Sequence, residues 1–157
     1  MSRKTSKRES SSQHRTNDFS PHISQAEINW TTANWCKSRL PNNSKGWVPV
    51  LFFYSSYHYL AACIKINGGD IPTNHLGYHD NENKWVMGMN DLASKYLGQE
   101  LAKKYLTLYE YARNSRYVPK FYQIYLSDDN VGGISKKYCS EIQNYVQSLY
   151  SIKRKRS

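Results

Sequence analysis

Residues 48–66 read VPVLFFYSSYHYLAACIKI, nineteen residues with a single formal charge, closed by NGGD. The run is too long for an ordinary strand. Phe53, Tyr57, Leu60, Ala61 and Ile64 recur at helical spacing on one face. Ser55, Ser56, Ala61 and Ala62 are small enough to let a second helix approach closely. The Gly68 that follows suits a left-handed position just past a helix end. The run therefore predicts a helix over about 48–66 that lies against other helices. A strand is the competing assignment for its aromatic part, and length decides against it.

The rest of the chain is read around that helix. Ser24 with Glu27 three residues on forms a capping box, which predicts a helix over roughly 24–39 carrying Ile28, Trp30 and Trp35. LPNNSKGW then breaks the chain. The loop over 68–83 is long enough to carry a role. A short helix is predicted from about Asn83 to Tyr96, and another from near Gly98 to about Tyr117. The second has Leu101, Tyr105, Leu108 and Ala112 as its apolar stripe, and Pro119 stops it. LSDDNVGG reads as a turn, and a last helix runs from about Ser135 to Ile152. No segment alternates with period two. The expectation is an all-α, up-and-down bundle of four to five helices.

With 157 residues the chain suits one domain. Hydrophobic residues make up only 39%, but fourteen tyrosines and four tryptophans supply large buried area with polar tips. The net charge is +10, much of it at the ends. Residues 1–22 are rich in Ser, Lys and Arg and read as a disordered basic arm. Residues 23–152 are nearly balanced, and 153–157 form a basic tail holding Lys153, Arg154, Lys155 and Arg156. Such ends read as electrostatic arms for polyanions. Cys36, Cys63 and Cys139 are odd in number and lack CxxC spacing, which argues for reduced thiols in a cytoplasmic protein. The N-terminus has no apolar stretch of a secretory signal, and no run reaches 18 apolar residues, so no membrane span is expected.

Two segments carry a further pattern. LFFYSSYHYLAACIKINGGDIPTNH resembles the HEPN superfamily of small helical bundles, above all a group of small prokaryotic members. The positions are Tyr54, Ser55, Ser56, His58, Tyr59, Gly69, Pro72 and His75. Tyr105, Leu108, Ala112, Arg113, Arg116 and Tyr117 continue the resemblance, which spans about residues 26–120. It implies a HEPN-like bundle that often dimerises and acts in RNA-linked toxin and defence systems. Active members use an Arg, four to six intervening residues and then a His. Neither Arg113 nor Arg116 is followed by such a His, and the matching counts at Arg8–His14 and Arg15–His22 fall in the polar arm. In the related group an Arg is also expected soon after the loop His, where Leu76, Gly77, Tyr78 and His79 stand instead.

Arg113 and Arg116 lie three apart on one helical face, flanked by Tyr109 and Tyr117. A guanidinium pair beside phenols can hold a phosphate and stack a base. The plain alternative is two cations complementing a helix C-terminus, with Glu110 pairing Arg113. His58, mid-helix among tyrosines, is either an acid–base group or a packed interface histidine. His75 and His79 stand four apart beside Asp80, but Pro72 and Gly77 argue for a loop and no third strong ligand is near. No metal site and no cofactor are therefore expected.

His75 swinging toward Arg113 and Arg116 would assemble a non-standard Arg/His site. There His would carry a proton and Arg would steady a phosphate, without metal. The expected RNA-binding set is Arg113, Arg116, Tyr109, Tyr117 and the tail residues Lys153–Arg156. Two functions stand side by side. One is an RNA-associated protein of toxin or defence type that cleaves or only binds, with an antitoxin or other partner. The other is a non-catalytic helical module that dimerises or meets a partner protein.

Overall fold

The computed structural model describes residues 18–41, 45–118 and 130–154, with the side chains of 130 and 152–154 excepted. The described residues form five helices: α1 Ser20–Arg39, α2 Trp47–Ile66, α3 Met89–Leu97, α4 Gln99–Tyr117 and α5 Asn130–Arg154. A minor antiparallel pair, β1 Tyr78–His79 with β2 Trp85–Val86, precedes α3. The all-α bundle expected from the sequence is the observed class. Among the described residues no helix is long and apolar enough to cross a membrane.

Helix α2 is the centre of the bundle. Fourteen of its 20 residues are buried, so it is enclosed on nearly all sides, not on one stripe. It packs against α1, α4 and α5, while α3 and α5 also lie on α4. The small residues act as expected: Ser55 Oγ donates to the Ala26 carbonyl of α1 at 2.8 Å, which needs close backbones. Gly68, with φ of +74°, follows Asn67 and ends α2 in the left-handed region.

Helix α4 ends at Tyr117 with Val118 extended, as a residue before proline requires. It joins α5 through a Lys104–Glu141 ion pair. The core runs through Phe52, Phe53, Tyr59, Leu60, Ile64, Met89, Tyr105, Leu108, Ile142 and Val146.

Three expectations are corrected. Helix α1 begins at Ser20, so His22 belongs to the fold and not to the arm; Pro21 starts the helix, and the Ser24–Glu27 capping box is interior. The helix expected from Asn83 begins only at Met89. Asp80 Oδ1 accepts from Glu82 N and Lys84 N, both at 2.9 Å, and Asn83 takes φ of 57°, so a turn wins there. Helix α5 starts five residues before Ser135 and passes through Gly132 and Gly133. The disorder expected for residues 1–17 lies outside the described residues.

Candidate functional site

The site grows from the middle of α2. Tyr54 and Tyr57 lie three apart there, so both point to one side. The 67–88 loop carries His75 back across them. Two backbone bonds hold the loop: Met89 N donates to Asn74 O and Asn90 N to His75 O, each at 2.9 Å. Gly88 makes this closure possible. A Cβ there would meet the Leu76 carbonyl carbon at 2.3 Å and the His75 oxygen at 2.6 Å. Asp91 Oδ2 accepts from Gly88 N at 2.8 Å and caps α3.

His75 sits half-buried in an aromatic ring of four. Its centroid is 5.2 Å from Tyr57, 5.4 Å from Phe53, 5.8 Å from Tyr109 and 6.3 Å from Tyr54. Helix α4 brings Arg116 to the same tyrosine. Its Nη1 donates to Tyr54 Oη at 3.3 Å, and its Nε donates to the Ala112 carbonyl at 3.2 Å. The guanidinium also lies 5.9 Å from the Tyr54 centroid and 5.3 Å from that of Tyr117. Arg116 and His75, 41 residues apart in sequence, thus meet at Tyr54.

The electrostatics follow from this placement. Burial, and then the Arg116 cation, hold His75 below the usual histidine value of 6.5. The ring is neutral at physiological pH. Its Nδ1 is buried and has no hydrogen-bond partner among the described residues. An unpaired lone pair there costs less than an unpaired N–H, which favours the tautomer with its proton on Nε2. The ring therefore offers a ligand an N–H donor beside a fixed cation.

The other expected residues are distributed differently. Arg113 is exposed and pairs with Glu110 at 3.6 Å, so it does not double Arg116 over one phosphate. Tyr109 joins the cluster beneath His75, and Tyr117 is 72% exposed, leaving a ring face open. His58 meets a different partner: its Nδ1 is 3.3 Å from Nδ1 of His22 on α1, and the Tyr57 ring lies 5.3 Å from its ring and 5.2 Å from that of His75. Burial, then the neighbouring His22, push His58 down to about 4.

His79 is exposed on β1 against Trp85, and Asp80 is committed to the turn, so His75 and His79 share no ligand. Among the described residues no three His, Cys, Asp or Glu side chains gather. Lys153 and Arg154 belong to the last turn of α5, while Lys155 and Arg156 lie outside the described residues.

Sequence reasoning missed two partners, Tyr54 as the shared anchor and His22 as the neighbour of His58. Tyr54 had a signal: a polar aromatic three residues before Tyr57 on a helix whose other faces are apolar. His22 had none, because it was assigned to the arm. Comparison with family models, with curated proteins and with solved structures finds no match to this chain.

Proposed function

We propose that the chain is an RNA-associated protein of toxin or defence type, built on a HEPN-like bundle, that takes an RNA phosphate at its Arg116–Tyr54–His75 cluster. One observation carries the reading: an arginine and a neutral histidine from separate segments meet on one tyrosine. Arg116 supplies the cation, already oriented by Tyr54 and the Ala112 carbonyl. His75 supplies an Nε2–H donor to a second phosphoryl oxygen. The open face of Tyr117 beside the guanidinium suits an unstacked base. The basic tail adds attraction that is independent of sequence.

Cleavage is the second reading, favoured by the depressed proton affinity of His75. In that form His75 takes the proton of the 2′-hydroxyl as the 2′-oxygen bonds to phosphorus. The bond to the 5′-oxygen breaks, and the imidazolium returns the proton to it. Products are a 2′,3′-cyclic phosphate and a free 5′-hydroxyl, with no metal required. This needs the His75 proton moved to the buried Nδ1, so binding is the better supported role.

The test incubates full-length protein with labelled single-stranded RNA in EDTA, alongside Arg116→Ala, His75→Ala and a form lacking residues 153–157. Binding reduced about tenfold or more in both point variants, with RNA intact, supports the binding site. Cleavage lost in both variants supports the second reading. Unchanged binding in both, lost only with the tail, overturns the site.

A further inference from the structure

Trp47 opens α2 and takes no part in the Arg116–Tyr54–His75 cluster. We propose that its indole stacks a second unpaired RNA base, so that a single strand held at Arg116 runs on toward the start of α2. The inference rests on the phosphate reading of Arg116 and extends it along the strand. Trp47, Leu51 and Tyr54 fall at i, i+4 and i+7, one stripe of the helix surface. That stripe is on the side of α2 that is left uncovered: Trp47 is 61% exposed, and Leu51 and Tyr54 are only partly buried. Seven residues of helix rise about 10 Å, which sets the indole a short extended stretch of strand from the guanidinium held by Tyr54.

Two other helices bring matching groups to this end of the bundle. Helix α1 runs antiparallel to α2, since Ser55 meets Ala26 while His58 meets His22. Trp35, further along α1, therefore comes level with the start of α2, and it is 58% exposed. Helix α4 also runs antiparallel to α2. The Cys63 thiol meets the Tyr96 carbonyl just before α4 begins, and Arg116 near its end meets Tyr54, so the open Tyr117 arrives at the same end. Among the described residues, the charged side chains brought there are Lys37, Arg39, Lys45, Arg113 and Arg116, against one carboxylate, Glu110. Exposed indoles among cations suit a single strand, whose bases stack on aromatic rings while its phosphates meet the positive charge. The apolar face of a protein partner would desolvate those cations without a counter-charge.

The test measures binding of an unstructured single-stranded RNA, and of an abasic ribose-phosphate strand of equal length, to full-length protein in EDTA. Trp47→Leu should weaken RNA binding about fivefold or more, with the slope of log K against log salt unchanged. Trp47→Phe keeps a ring and should weaken it less, and the abasic strand should bind all three proteins alike. Saturating RNA should also quench indole emission more in the native protein than in Trp47→Phe, a readout independent of how the Leu variant folds. Arg116→Gln is run alongside. If it binds weakly with a shallower slope while Trp47→Leu binds as the native protein does, the stacking site is overturned and the phosphate site stands. Weakening in Trp47→Leu alone overturns the phosphate site and with it the strand path from Arg116. Equal loss of the abasic strand in Trp47→Leu, or a native dimer that Trp47→Leu breaks and RNA does not, overturns the proposal as well.

Discussion

Arg116 of α4 donates from Nη1 to the Tyr54 hydroxyl of α2 at 3.3 Å, across 62 residues of sequence. Together with the Nε bond to the Ala112 carbonyl, this bond fixes the guanidinium at the helix end. It also sets the cation where it lowers the proton affinity of His75. Tyr54→Phe keeps the ring and removes only the acceptor. It should cost about 1 kcal/mol in urea unfolding, the usual size of one hydrogen bond. Tyr54→Ala removes the ring contacts to His75, Phe53 and Arg116 as well, and should cost clearly more.

The two glycines Gly88 and Gly133 should respond in opposite directions to alanine. At Gly88 a Cβ strikes the backbone of Leu76 and His75, which cannot yield without moving the loop. Gly88→Ala should destabilise by about 1–3 kcal/mol, the usual range for overpacking, and weaken RNA binding through His75. At Gly133, inside α5, a Cβ meets nothing within 4 Å. Gly133→Ala should stabilise by about 0.5–1 kcal/mol. Paired denaturation curves decide both.

Stability should fall with acid, and histidines set the window. His22, His58 and His75 are all held below 6.5 by burial first. The unfolded chain then binds protons that the folded chain refuses, so stability rises with pH. Their contribution is complete above about 6.5, the unfolded value. It declines as pH falls toward about 4, where folded His58 also protonates. Urea midpoints in EDTA should drop between pH 7 and pH 5, and His58→Gln should flatten that slope.

Cys139 should resist thiol reagents in the native protein. It is fully buried beside Ser55 and Ser56, and burial pushes its thiol up to about 11. Cys36 and Cys63 are buried as well, and no disulfide joins the three. Reaction with an aromatic disulfide reagent should be slow in buffer and reach three thiols per chain in denaturant. Rapid native labelling of Cys139 would contradict this packing.

What was legible in the sequence follows from how local each signal is. Helix α2 was clear because nineteen residues of one character, ended by a left-handed glycine, admit few other forms. The end of α4 was clear because proline acts on its immediate neighbour. The start of α1 was misread because Ser24–Glu27 matches a cap as well as Pro21 does, and only packing chooses. The β1–β2 turn was missed because two-residue strands leave no alternation to detect. Gly132 and Gly133 read as a turn, yet tertiary packing carries α5 through them.

In the candidate site, the meeting of His75 with Arg116 was open to inference as a possible assembly of distant groups. The separation of Arg113 from it was foreshadowed only by Glu110. The His22–His58 contact spans 36 residues between two helices, and nothing local encodes it.

The central claim is that Arg116 neutralises an RNA phosphate. The most direct measurement is the salt dependence of single-stranded RNA affinity for the full chain and for Arg116→Gln. Each phosphate neutralised on a single strand contributes about −0.7 to the slope of log K against log salt. The account predicts weaker binding by the variant and a slope shallower by about 0.7. Equal affinity and an equal slope would contradict it.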